Sequence, residues 1–282
     1  MSFVIRLATN QDRAAACSAE GKAIRGLLYL NDVWEEFKAD QSGMLLVGEV
    51  DGQVVAVGKY TLLYDHSAWL ETLRVDPEFQ GRGIGKAFYD RFLEMANLQE
   101  VKSLGMYTGA TNVVSKGLAE RYGFRLEAAY RGASWSATDV NDQVIEQEEK
   151  FQLLGPSQAV AQLLPLAKTW DGHIVMNRTF YPANAAVFAG MAREAKVYSQ
   201  PETGSICIIG HRFLEERGLH LALLAGDIGA CIRLAKQETL KRGLPQVTIM
   251  FPPYMTNLQE ELVATGFKLE ASDCIVMGRR KQ

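Results

Sequence analysis

The chain has 282 residues, with 30 Lys and Arg against 33 Asp and Glu. The resulting formal charge of −3 leaves no basic excess to neutralise nucleic-acid phosphates, which argues against nucleic-acid binding as the main task. With 48% apolar and 22% charged residues the composition is globular, and the length suits two domains of ordinary size. No apolar run approaches the ~18 residues of a membrane-spanning helix. The start, Met1 to Arg6, lacks the charged-then-apolar pattern of an export signal. Cys17, Cys207, Cys231 and Cys274 form no Cys-x-x-Cys pair, and the four histidines show no ligand spacing. The expectation is a cytoplasmic protein with reduced thiols, no metal and no membrane contact.

Phe3 to Leu7 alternates as a first strand. Gln11 to Arg25 and Asn31 to Asp40 read as helices, and Ser42-Gly43 ends the second. Met44 to Val50 is a strand, and Asp51-Gly52 turns it into a second, Gln53 to Tyr64. Trp69 to Val75 is apolar and β-branched enough for a buried strand, which Asp76-Pro77 stops. Ile84, Phe88, Phe92 and Met95 recur at helical spacing, so a helix opens inside the run Gln80-Gly81-Arg82-Gly83-Ile84-Gly85-Lys86.

This strand, glycine turn and helix organise the first half. The turn presents unpaired N–H groups at the positive end of a helix, and Arg82 and Lys86 add charge. The physical expectation is an anion, most simply a phosphate or pyrophosphate. A P-loop fails twice, because Ala87 stands where Ser or Thr is needed and Gln80 where the leading glycine is needed. A dinucleotide fingerprint from Gly81 fails at Lys86. The pattern Gln/Arg-x-x-Gly-x-Gly/Ala fits residues 80–85 at every fixed place, after the strand exit Val75-Asp76-Pro77.

On those residues the chain resembles the GCN5-related N-acetyltransferases, which bind the pyrophosphate of acetyl-CoA on this loop. The remaining elements follow the family's order: strand Ser103 to Tyr107, a helix capped by Asn112 and ended by Gly123-Phe124, strand Phe124 to Trp135, a polar loop, and Lys150 to Leu154. The resemblance covers Phe3 to Leu154. It implies that backbone at Leu73, Arg74 and Val75 holds the pantetheine arm and acetyl carbonyl. It places the pyrophosphate on Gly81, Arg82, Gly83, Ile84, Gly85 and Lys86, and a CoA contact at Asn112, which equally reads as a plain N-cap.

Glu71 is the candidate base. It lies four residues before Val75, so Glu71, Leu73 and Val75 are expected to point to one face of the strand. A buried carboxylate costs free energy unless paired or used, and burial would raise its pKa toward that of a proton acceptor. Pairing with Lys59 or Arg74 is the structural reading of the same residue. The family's general-acid tyrosine falls at Ala119 in this chain. Tyr122 lies three residues on, about 300° round a helix, and is no simple substitute. Water or Tyr107 are the open alternatives for protonating the departing thiolate. Trp34, Glu35, Glu36 and Phe37 lie where the family builds its substrate wall, though a solvated helix face with core aromatics explains them as well.

The second half repeats the first faintly. Gly266-Phe267 echoes Gly123-Phe124, Gly204 to Gly210 echoes Gly52 to Gly58, and the helix Asp227 to Arg242 echoes the helix at Gly85. The junction falls at Leu154-Gly155-Pro156-Ser157, ahead of a helix Ser157 to Lys168 capped by Ser157. The second copy has Ala225-Gly226-Asp227-Ile228-Gly229 in place of the anion loop, with no Arg or Lys, so it is expected to bind no CoA. That leaves it structural roles: packing on the first half, walling the substrate cleft, or forming the surface of a homodimer.

The expected fold is α/β (α+β), two tandem acyl-CoA N-acyltransferase-like domains, each a mixed, mostly antiparallel sheet flanked by helices. Residues 1–154 form the acetyl-CoA-binding domain and residues 155–282 the degenerate copy. The resemblance implies acetyl transfer from acetyl-CoA, as cosubstrate, to a primary amine of a small molecule by direct attack. No cysteine lies in the motif region to carry a covalent relay. The rival reading is a non-catalytic acyl-CoA sensor or interaction protein.

Overall fold

The computed structural model describes residues 3–24, 26, 28–139 and 149–281. The expected end of the first helix at Arg25 and much of the polar loop after Trp135 lie outside the described residues. The chain forms two compact units that interleave along the sequence. The first comprises Met1–Met106, Asn112–Leu126 and Met277–Gln282, and the second Tyr107–Thr111 and Glu127–Val276. Both are mixed α/β, with mostly antiparallel strands flanked by helices.

In the first unit, β1 (Phe3–Leu7), β2 (Met44–Val50), β3 (Gln53–Leu62) and β4 (Ala68–Val75) pair antiparallel in that order, and β5 (Ser103–Gly109) joins β4 in parallel. The β2–β3 turn uses Asp51 and Gly52 at φ 48° and 86°, as the Asp-Gly dipeptide predicts. Helices α1 (Arg13–Ala23) and α2 (Leu30–Ala39) pack on the sheet through Ala16, Ala19, Val33, Trp34 and Phe37. Helix α3 (Ile84–Leu98) covers β3 and β4 with Ile84, Phe88 and Phe92. It sits close because a Cβ at Gly58 would stand 2.8 Å from Phe88. Helix α4 (Val113–Arg121) ends at Tyr122, whose ring stacks on Tyr89 of α3 with centroids 4.8 Å apart.

In the second unit, β6 (Arg125–Ser136) pairs from Arg131 to Ser136 with β13 (Gln246–Phe251), and also with β14 (Lys268–Leu269). Strands β7 (Gln152–Leu153), β10 (Val197–Gln200), β11 (Ser205–Gly210) and β12 (Leu219–Ala225) continue antiparallel, and β12 meets β13 in parallel. Helices α5 (Pro156–Leu163) and α6 (Ala185–Arg193) pack together, as do α7 (Ile228–Lys241) and α8 (Thr256–Ala264). A hairpin of β8 (His173–Met176) and β9 (Thr179–Pro182) lies against β12 and β13. The last strand, β15 (Cys274–Arg280), ends the chain's regular structure.

The element order of the first half recurs in the second, with the β8–β9 hairpin inserted between the first two helices. Gly123 and Gly266, the matched Gly-Phe glycines, both end a helix at positive φ, 80° and 89°. Ser157 is not the cap of α5: Pro156 occupies the first helical position and Gly155 caps it. Proline's fixed φ and missing donor suit that first turn.

Candidate functional site

The site begins with an irregularity in β4. In its ladder with β3, Glu71 faces Lys59 and Arg74 faces Val57, so Thr72 and Leu73 stand opposite Gly58 alone. This is a β-bulge, and Thr72 adopts φ 59° within it. A buried β-branched residue in the left-handed region stores strain on the order of 1–2 kcal/mol. The bulge overturns the expected shared face of Glu71, Leu73 and Val75. Directly paired residues share a face, so Arg74 lies on the side of Glu71 and Val75 on the other.

The ladder between β4 and β5 runs only from Ala68–Leu104 to Leu70–Met106. Beyond it, the other edge of Leu73, Arg74 and Val75 has no ladder partner among the described residues. These three residues are half-buried. The Nη1 of Arg74 donates to the Leu73 carbonyl at 3.0 Å, while its buried Nε has no hydrogen-bond partner among the described residues. At the strand exit, Asp76 caps the following turn through Glu78 N–H and accepts from Lys22 at 2.7 Å. The Lys22 ammonium holds the Asp76 carboxyl below the usual carboxylate range.

Glu71 is only 7% exposed. Thr61 Oγ1, one strand over, donates to Glu71 Oε1 at 2.6 Å. Lys59, fully buried, pairs with Asp40 and donates to the Tyr60 carbonyl at 2.9 Å. Thr61 escaped the sequence reading, because only the β3–β4 register brings it to the carboxylate.

The glycine turn follows. Gly81 and Gly83 have φ 77° and 89°, and a Cβ on either would meet nothing within 4 Å. Their role is therefore backbone conformation beside open space, which permits close approach of a ligand. Gly83 caps α3 with no side-chain hydrogen bond, so the first amides of the helix are not satisfied by a cap. Arg82 and Lys86 are exposed. The Arg82 guanidinium rests over the Phe79 ring at 4.9 Å and donates to the Glu78 carbonyl at 2.9 Å. Uncapped amides, a helix N-terminus and two cationic side chains fit a diphosphate.

Asn112 caps α4, accepting from Ser115 N–H at 3.1 Å, and is exposed. Ala119 is fully buried, and its carbonyl accepts from the Tyr122 and Phe124 amides. The Tyr122 hydroxyl lies 2.9 Å from both the Lys86 carbonyl and Asp90 Oδ1, which ties α4 to α3. Burial and Asp90 push its pKa up to about 12. In the second unit, the Tyr107 ring packs on Phe180 with centroids 5.7 Å apart. Trp34 and Phe37 are core residues, whereas Glu35 is exposed beside Arg13.

The matching turn of the second unit is closed on itself. Asp227 caps α7 by accepting from Ala230 N–H at 3.0 Å, and its own amide donates to Ser205 Oγ at 3.0 Å. Gly226 leaves no space: a Cβ there would stand 2.6 Å from Ser205 Cα.

Residues 16–124 match the family model described as the acetyltransferase (GNAT) family. Solved structures resemble the whole chain. One is a GCN5-related N-acetyltransferase from Sphaerobacter thermophilus, at TM-score 0.64 and 14% identity, covering 99% of this chain and 95% of that one. A second, described as a putative acetyltransferase from Pyrococcus horikoshii, gives TM-score 0.63 and 16% identity over 99% and 90%. A third, described as a putative acetyltransferase from Thermoplasma acidophilum, gives 0.59 and 16% over 99% and 100%. No curated protein matches the sequence. Residues 16–124 are thus a GNAT-type domain by the family model, and the fold resembles that of the GNAT structures along nearly the whole chain.

Proposed function

We propose that this protein is an N-acetyltransferase moving acetyl from acetyl-CoA to a primary amine of a small molecule by direct attack. Residues 1–154 supply the acetyl-CoA site, and residues 155–282 are a degenerate copy without a CoA loop. One observation carries this reading: the unladdered edge of β4 leads, within one short turn, into a glycine-capped helix N-terminus. The backbone of Leu73, Arg74 and Val75, through the groups it turns to the free edge, then faces a pantetheine arm and an acyl carbonyl, and Gly81 to Lys86 hold the diphosphate. Asn112 adds a CoA contact beside its capping bond.

Acetyl-CoA, once bound, supplies the acetyl group as an activated thioester. A bulge amide directed at the acyl oxygen stabilises the charge that develops there. Glu71 receives the proton from the acceptor's ammonium, and the hydroxyl of Thr61 holds its carboxylate in one orientation. Position 119 offers no acid for the thiolate, and Tyr122 is bound elsewhere. A thiolate with a conjugate pKa near 8.5 leaves tolerably without one.

The fully buried Ala119 also favours the rival reading, a sensor that binds acyl-CoA without turnover. Thiol release from acetyl-CoA with a panel of amino acids, polyamines, aminoglycosides and peptide amines separates the two. Release with at least one amine, lost in Glu71→Gln, is the expected result. Binding of acetyl-CoA with no release across the panel favours the sensor.

A further inference from the structure

The strained residue of the β4 bulge is held from outside the sheet. The Tyr29 hydroxyl lies 2.6 Å from Thr72 Oγ1. Tyr29 is itself fixed at its base: it caps α2, and its carbonyl accepts from the Asp32 and Val33 amides at 3.0 and 3.2 Å. Its ring meets Phe37, a core residue of the same helix, edge-on with centroids 6.4 Å apart. A short, partly buried hydrogen bond thus runs from the start of α2 to the one residue of β4 at positive φ. Strained backbone persists only where its surroundings over-determine it, and this bond is a specific restraint of that kind.

We propose that Tyr29 is a positioning residue for acyl transfer. Its hydroxyl pins Thr72 in the left-handed conformation and so aims the next amide, Leu73 N–H, at the acyl carbonyl. The inference rests on the acetyltransferase reading of the site. It adds a residue that acts through Thr72. It also makes the start of α2 part of the machinery that seats the acyl group. Without the restraint the bulge amide samples other directions, and the acyl group loses its hydrogen bond while the diphosphate grip stays intact.

The test compares affinities for acetyl-CoA and for CoA, measured by calorimetry on the full chain. Tyr29→Phe keeps the ring against Phe37 and removes only the hydroxyl. It is expected to weaken acetyl-CoA about fivefold, the loss of one ordinary hydrogen bond, and to leave CoA within about twofold. Thr72→Val keeps the β-branch and should behave the same way. Thr72→Gly adopts positive φ without strain, so adding Tyr29→Phe to it should change nothing further. If the wild type binds both ligands and Tyr29→Phe weakens them equally, or weakens neither, the positioning role is wrong and the acetyltransferase reading stands. If the wild type binds neither ligand, both fall together.

Discussion

Thr61 Oγ1 stands 2.6 Å from Glu71 Oε1, a hydrogen bond between neighbouring strands at a carboxylate almost closed to solvent. The bond fixes the orientation of the carboxylate. Glu71→Gln preserves shape and removes the proton acceptor, so kcat should fall by about 10²-fold or more. Thr61→Val should cost less, because it disturbs orientation and not basicity. Steady-state thiol release across a pH series checks both. Unchanged kinetics in Glu71→Gln would remove this residue from the mechanism.

The two glycine turns predict a binding stoichiometry. The turn at Gly81 and Gly83 leaves helix amides open, whereas the turn at Gly226 is pressed on Ser205 and capped by Asp227. Calorimetry should therefore find one acetyl-CoA per chain. Reversing charge at Arg82 and Lys86 should weaken binding at least tenfold, with a reduced salt dependence. Asp227→Ala should leave binding untouched and cost about 1 kcal/mol of stability as a lost cap.

Tyr122 bonds to Lys86 and Asp90 in the first unit, so it holds α4 on α3. Tyr122→Phe should lower stability by about 1 kcal/mol with little change in turnover. Ala119→Tyr, which installs the tyrosine of the resembled family, should unfold the region and not speed catalysis. Ala119 has no exposed surface, and overpacking a filled site costs about 1–3 kcal/mol or more. Thermal unfolding and thiol release on each variant decide both points.

His220 predicts a pH dependence of the second unit. Its Nε2 accepts from Asn177 N–H at 3.3 Å, which requires a neutral ring, and its Nδ1 lies 2.7 Å from Thr248 Oγ1. Burial first, then the cationic neighbour Arg178, pushes its pKa down to about 3. The unfolded ring, with a value of 6.5, binds the proton more readily. The stabilisation is complete above pH 6.5 and is lost as pH falls through the window down to the folded value, at up to about 1.4 kcal/mol per pH unit. His220→Gln should flatten this acid-side slope in thermal unfolding while lowering stability at neutral pH. An unchanged slope would count against the neutral, doubly bonded ring.

Much of this was legible in the residues themselves. The strands Met44–Val50 and Gln53–Leu62, the Asp-Gly turn, the glycine run into α3 and the Asn112 cap all rest on local chemistry. Such chemistry includes alternation of apolar residues, a dipeptide that tolerates positive φ, and a side chain that accepts from its own helix. The lack of Arg and Lys set residues 225–229 apart from the run at Gly81 in the sequence; that Asp227 caps α7 came from the structure.

What tertiary structure alone decided is register. Residues on one strand are placed against residues on another by the whole ladder, so no spacing along the chain announces them. The extra residue at Thr72 reverses the face of Val75 relative to Glu71, and the β3–β4 pairing delivers Thr61 to the carboxylate. The reach of Tyr29 across to Thr72 spans 43 positions in sequence and one hydrogen bond in space.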